Sequence, residues 1–251
     1  MSADDETHPV GGFRAAVTEI VHTVIPPFIL AMAATIAVAS AIGLLLTHVL
    51  NDSGLVHWEE RLVESLEANR TPRLTSLTGA GTFIADPIPV AVLWGLSVVV
   101  VSITTRRWRP AMFIMVAVGG EKLSYLVSTL IVRRPRPEVT TVGTVHVTSS
   151  FPSGHVGSAV SLYGSLTLLV LVLLAGRLRP QFIWITAIVA SIFAVVVGYS
   201  RLYRGHHFLT DVIVGCAIGS TWVAVSYRLV LRPYLEGRDA RTHRRLTKRS
   251  R

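Results

Sequence analysis

The sequence predicts an all-α protein embedded in a membrane, and three features of the chain lead there. Just over half of its 251 residues are apolar, and the mean hydropathy is positive. The apolar residues gather into runs that approach or exceed the ~20 residues a helix needs to cross a bilayer. Lys and Arg, finally, are unequally shared between the segments joining those runs. No polar block is large enough for a second core, so residues 1–251 read as a single membrane domain.

Six spans are expected, in one bundle: residues 25–50, 88–103, 111–132, 156–175, 182–199 and 208–231. Pro26 and Pro27 open the first, a position where a missing N–H costs nothing. The second is short; it could begin nearer Thr82, with Pro87 and Pro89 distorting its first turns. Residues 1–24 carry Asp4, Asp5 and Glu6 ahead of any apolar run, unlike a secretory signal, and the first run is too long for one. It is read as a retained helix.

With the N-terminus in the cytoplasm, the inner segments hold fourteen basic residues and the outer ones eight. The inner set comprises Arg14, Arg106, Arg107, Arg109, Arg177 and Arg179. Eight more lie in the tail: Arg232, Arg238, Arg241, Arg244, Arg245, Lys248, Arg249 and Arg251. Both termini are therefore expected in the cytoplasm, with residues 232–251 a basic cytoplasmic tail drawn to anionic lipid. The net charge of +9 is concentrated in that tail beside a membrane helix, which argues against nucleic acid as a partner. The lone Cys216 excludes a disulfide framework and a zinc-type spacing.

Between the first two spans, Leu55, Trp58, Leu62, Val63 and Leu66 recur at helical spacing, with Glu59, Glu60, Glu64 and Glu67 among them. A short amphipathic helix on the outer face is expected there, as a cap on the bundle, a lid or a solvated connector.

The chemistry concentrates in two segments. A helix starting near His207 would place Asp211 one turn later on the same face. A carboxylate there fixes the imidazole tautomer and leaves the other nitrogen free to attack. His206 sits off that face. His155 follows a Pro152-Ser153-Gly154 turn at the start of an apolar run, where backbone N–H groups cradle anions. Arg201, with Arg134 and Arg136, supplies donors that match phosphoryl oxygens. His22, His48, His57 and His146 lack such company.

These segments resemble the signature motifs of the type 2 phosphatidic acid phosphatase (PAP2) superfamily, which spans membrane lipid phosphatases and soluble vanadium haloperoxidases. Pro152-Ser153-Gly154-His155 matches the second motif. Ser200-Arg201, five residues, His207, three residues and Asp211 match the third. The apolar spans disfavour a haloperoxidase. The resemblance implies a nucleophilic His207 that forms a phosphohistidine, Asp211 to orient it, and His155 as acid and then base. It also implies that Arg136, Arg201, Ser153 and Gly154 hold the phosphoryl oxygens, with no metal or other cofactor.

The first motif departs from the family pattern of Lys, six residues, Arg-Pro. Counting back from Arg136-Pro137 reaches Thr129, and from Arg134-Pro135 reaches Val127. Arg133 is the better candidate to replace the lysine; Lys122, about 10 Å below Thr129 on the same helical face, is the other, or else a structural partner for Glu121. The implied activity is a lipid phosphate or diphosphate phosphatase acting at the outer leaflet, with polyprenyl diphosphate the favoured substrate. Phosphatidylglycerol phosphate and phosphatidic acid are alternatives. A lipid-binding or translocating protein without turnover is the reading from another class. Oligomeric state is not legible.

Overall fold

The computed structural model describes residues 18, 20–144, 149–174 and 180–237. Among them every regular element is a helix. In chain order these are α1 (Ile25–Leu44), α2 (Gly54–Ala68), α3 (Pro72–Phe83), α4 (Pro87–Thr105), α5 (Trp108–Val132), α6 (Gly154–Leu173), α7 (Pro180–Tyr203) and α8 (Leu209–Ser226). Wider turns extend α1 at both ends (Ile20–Val24 and Leu45–Val49) and α8 at its C-terminus (Tyr227–Leu231). Residues 1–17, the tail from Arg238 to Arg251, His146, Arg177 and Arg179 lie outside the described residues.

Five stretches are long and apolar enough to cross a membrane: Val21–Val49, Pro72–Thr105, Trp108–Val132, Gly154–Leu173 and Leu209–Gly237. A shorter apolar stretch, Ile188–Tyr203, lies in α7 where a sixth span is expected. Apolar side chains face outward along these helices, with Leu30 72%, Ile88 77% and Ile103 69% exposed. In water such a surface would aggregate, whereas in lipid it costs nothing.

α5 runs through the middle of the bundle, packed against α1, α4, α6 and α8. Phe113, Ile114, Leu162 and Trp222 are fully buried there. The Trp222 indole N–H donates to Ser124 Oγ at 2.8 Å, which satisfies a polar group that has no water to turn to.

Several elements depart from expectation. Pro72–Phe83 form a separate helix, α3, rather than an early start to α4. Thr71 caps it by accepting from the Leu74 amide at 3.2 Å. Pro72 and Pro87 each occupy a first turn, so two helices meet at a bend instead of one continuing. α7 runs on to Tyr203, which puts Ser200 and Arg201 on its last turn rather than in a loop. α8 starts at Leu209, after His207.

α2 is present where an amphipathic helix is expected, but the face it buries is different. Val56, Glu59 and Val63 are buried, while Leu55 and Trp58 are 45% and 46% exposed. Glu59, counted among the polar residues of a solvated face, is completely buried.

Candidate active site

The starts of α4, α6 and α8, the end of α7 and the last three turns of α5 come together with residues 133–144 and 149–153. The Pro152-Ser153-Gly154 turn is clamped to the start of α8. The Ser153 amide donates to the Asp211 carbonyl at 3.0 Å. A Cβ on Gly215 would lie 2.5 Å from the Ser153 carbonyl oxygen, and one on Gly154 would lie 2.7 Å from the Tyr125 ring. Only glycine permits these two approaches, which fix the turn against α8 on one side and α5 on the other.

A cavity partly open to solvent lies between these ends. His207, His155, Arg136, Arg201 and Gly154 line it, as do Lys122, Tyr125 and Ser149. Its charge is cationic on three sides. The Arg136 guanidinium donates to the carbonyls of His206 at 2.5 Å and Ser149 at 3.2 Å, and burial pulls its pKa down from the usual arginine value. Arg201 donates to Thr82 Oγ1 at 3.0 Å, while its Nε is buried with no partner among the described residues. A buried donor left open beside a cavity is costly unless a ligand takes it. Ser153 Oγ is buried and likewise without a partner among the described residues, but Ser153 is not part of the cavity lining.

His207 precedes the helix, so the expected pairing along one helical face is replaced by loop geometry. Its Nδ1 lies 2.5 Å from the Ser150 carbonyl and 3.7 Å from the Asp211 carboxylate. A carbonyl can only accept, so Nδ1 carries the proton and Nε2 keeps its lone pair. Burial lowers the His207 pKa, an effect that Asp211 partly offsets. The ring therefore stays neutral.

Asp211 accepts from the Phe208 amide at 2.8 Å and from Arg134 at 2.7 Å, which makes it a hub as well as a neighbour of His207. His206 is turned away. Its Nε2 donates to the Val142 carbonyl at 3.0 Å, and burial pushes its pKa down to about 3.

Three of the predicted cations change places. Arg134 does not line the cavity. One end of its guanidinium is held by Asp211 and Thr210, at 2.7 and 2.8 Å, and the other by Glu59 at 3.1 Å, with its plane over the Phe208 ring. Arg133 occupies the left-handed C-cap of α5 (φ 50°), which folds its side chain back onto the Leu130 carbonyl and leaves it exposed. Lys122 is the cation that reaches the cavity, where its ammonium meets Ser158 Oγ. Thr129, in the motif-lysine position, is buried and donates to the Phe151 carbonyl at 3.1 Å.

Two carboxylates at the site escape a reading of the sequence. Glu59 accepts from the Thr210 amide at 2.5 Å and its hydroxyl at 3.0 Å, capping the positive end of α8 from another helix. Asp86, at the N-terminus of α4, lies 2.9 Å from His155 Nε2. The only sequence signal for Glu59 was its i,i+3/i+4 company with Val56 and Val63; Asp86 offered just its place before Pro87.

The sequence matches the family profile described as PAP2 superfamily over residues 89–234. It is 30% identical over 149 residues to phosphatidylglycerophosphatase B of Bacillus subtilis, covering 58% of this chain and 68% of that one. Over 75 residues it is 39% identical to undecaprenyl-diphosphatase of Sulfolobus acidocaldarius, 30% of each chain. In three dimensions it resembles the crystal structure of a transmembrane PAP2 type phosphatidylglycerolphosphate phosphatase from Bacillus subtilis. The TM-score is 0.65 at 22% identity, over 82% of this chain and 96% of that one. LpxE of Aquifex aeolicus gives a TM-score of 0.52 at 24% identity, over 67% and 93%.

Proposed function

Because the chain belongs to the PAP2 superfamily, we propose that it is a membrane phosphatase that hydrolyses lipid phosphates at the outer face of the bilayer. The single observation that carries this reading is the state of His207. Its Nδ1 proton is committed to the Ser150 carbonyl, so a nucleophilic Nε2 faces a cavity lined by Lys122, Arg136 and Arg201.

In the first step His207 Nε2 attacks phosphorus and the bond to the leaving oxygen breaks, giving a phosphohistidine. His155 supplies the proton to that oxygen. In the second step His155 takes a proton from water as the water oxygen attacks phosphorus, and His207 leaves as a neutral imidazole. The cations and Ser153 stabilise charge on the equatorial oxygens in both transition states. Lys122 fills the role of the family's motif lysine from two turns lower on α5. Arg134 serves by holding Asp211 in place.

The outer-face orientation rests on the fourteen-to-eight excess of basic residues in the inner segments. A bundle that exposes apolar faces suits a substrate whose tail stays in the membrane. The relatives divide over substrate, one named for a phosphatidylglycerol phosphate and the other for a polyprenyl diphosphate. The polyprenyl diphosphate expected from the orientation is thus one of two finer readings.

Purified protein in detergent should release phosphate from a lipid phosphate panel and yield an acid-labile phosphoenzyme on rapid quench. His207→Ala should abolish both. Release of phosphate undiminished in His207→Ala would sink the mechanism. A reporter placed within residues 138–148 should report the outside and one after Arg251 the cytoplasm; the reverse pattern would move the site to the inner leaflet.

A further inference from the structure

His155 is held by a carboxylate that belongs to neither of the matched motifs. Asp86 sits at the N-terminus of α4, just after the bend from α3, and its Oδ1 lies 2.9 Å from His155 Nε2. It makes no side-chain cap on its own helix. Asp86 stands instead between Ala85 and Pro87, two residues that line the cavity, and turns its carboxyl oxygen to His155, which lines it too. Asp86 is 36% exposed and His155 15%, so the pair sits at the rim, where a substrate's leaving group must pass.

We infer that Asp86 positions His155 and holds the proton on it, so that the site is built to expel a basic alkoxide, and the substrate class is a lipid phosphomonoester rather than a diphosphate. This deepens the lipid phosphatase reading and rests on it.

Since a carboxylate accepts, Nε2 of His155 carries a proton, and Nδ1 is the ring atom left to exchange one with the substrate. A His–Asp pair of this kind fixes the ring's orientation and stabilises the imidazolium.

The two substrate classes ask different things of such a pair. An alkyl monoester leaves as an alkoxide, far too basic to depart without a proton. His155 Nδ1–H passes its proton to that oxygen as the P–O bond breaks, and the product is a neutral alcohol. The ring, now neutral, keeps its Nε2 proton on Asp86. Water then returns a proton to Nδ1 as its oxygen attacks the phosphohistidine. A diphosphate leaves as a phosphate, which is weakly basic and needs no acid. It would also bring further negative charge against the Asp86 carboxylate. Asp86 therefore helps the first class and opposes the second.

The test compares three substrates in one detergent: phosphatidic acid, farnesyl diphosphate, and p-nitrophenyl phosphate, whose phenolate leaves without help. Wild type should prefer phosphatidic acid to the diphosphate in kcat/KM. Asp86→Asn should lower kcat/KM, which reports the step that forms the phosphohistidine, by about 100-fold on phosphatidic acid, while kcat/KM on p-nitrophenyl phosphate stays within about threefold. On the diphosphate kcat/KM should hold or rise, and Asp86→Glu should recover part of the value on phosphatidic acid. An equal loss on all three substrates, or no loss on any, in a variant with unchanged melting temperature would overturn the inference and leave the phosphatase reading standing. So would a wild-type preference for the diphosphate. Failure of wild type on all three would remove the phosphatase reading itself and this inference with it.

Discussion

Glu59 and Asp211 accept hydrogen bonds from the two ends of one guanidinium, that of Arg134, at 3.1 and 2.7 Å. All three side chains are buried. The short helix α2 is thereby locked to the carboxylate beside the nucleophile. Breaking a buried network of this kind by removing one member leaves its partners charged and unpaired, at a cost of about 3–5 kcal/mol. Arg134→Met should lower thermal stability in detergent by that order. Combining it with Glu59→Gln should cost less than the sum of the two single changes, since a neutral amide no longer needs the cation. Strict additivity in that cycle would refute the coupling.

Acid should destabilise the protein through its buried imidazoles. His206 and His207 both have pKa values held below the ordinary 6.5 by burial, that of His206 at about 3. Between about pH 3 and 6.5 the unfolded chain binds a proton at His206 that the folded chain refuses, so stability is full above this window and falls as pH drops through it. The slope is at most about 1.4 kcal/mol per pH unit for each such histidine. His206→Asn should flatten the acid limb of a melting-temperature profile while leaving the value at pH 8 nearly unchanged. A limb as steep as that of wild type would contradict the assignment.

Lys122 and Arg133 should separate cleanly as replacements for the missing motif lysine. Loss of a donor to the transition state typically costs 10²–10³ in kcat. Lys122→Met should fall by about 10²-fold in kcat/KM, whereas Arg133→Met, exposed and folded back on Leu130, should match wild type. The opposite ranking would move the cation to the loop.

Gly215→Ala places a methyl 2.5 Å from a backbone oxygen that cannot rotate away, that of Ser153. The turn must shift by a fraction of an ångström, and displacements of that size at a reacting centre cost up to about 10²-fold in rate. Gly54→Ala, with nothing within 4 Å of the new Cβ, is the matched control and should be silent.

The bundle and the two histidine segments were legible in the sequence because long apolar runs and fixed motif spacings are one-dimensional signals. The α3–α4 bend was half visible, as Pro87 and Pro89 marked a disturbance whose outcome depended on Thr71 capping a separate helix. Glu59 was misplaced because four glutamates share α2 and only packing decides which of them faces inward. Arg134 was misassigned for a related reason. Two Arg-Pro pairs in succession look equivalent along the chain, and only the tertiary partners tell them apart. Arg134 meets the buried carboxylates of Asp211 and Glu59, while Arg136 lines the cavity. Asp86 stands 69 residues from His155, and no local pattern links them.

Lys122 reaches the cavity from a point fourteen residues before Arg136, twice the separation that the family pattern prescribes. Two turns of α5 separate Lys122 from Thr129 and return the side chain to the same face, so what a cation at this site must satisfy is helical phase and reach rather than a count of intervening residues. A search pattern written with a fixed gap passes over such a chain and files it as defective. One written as a periodic function of position, with a tolerance set by side-chain length, would retrieve it together with others whose charge has migrated along the same face.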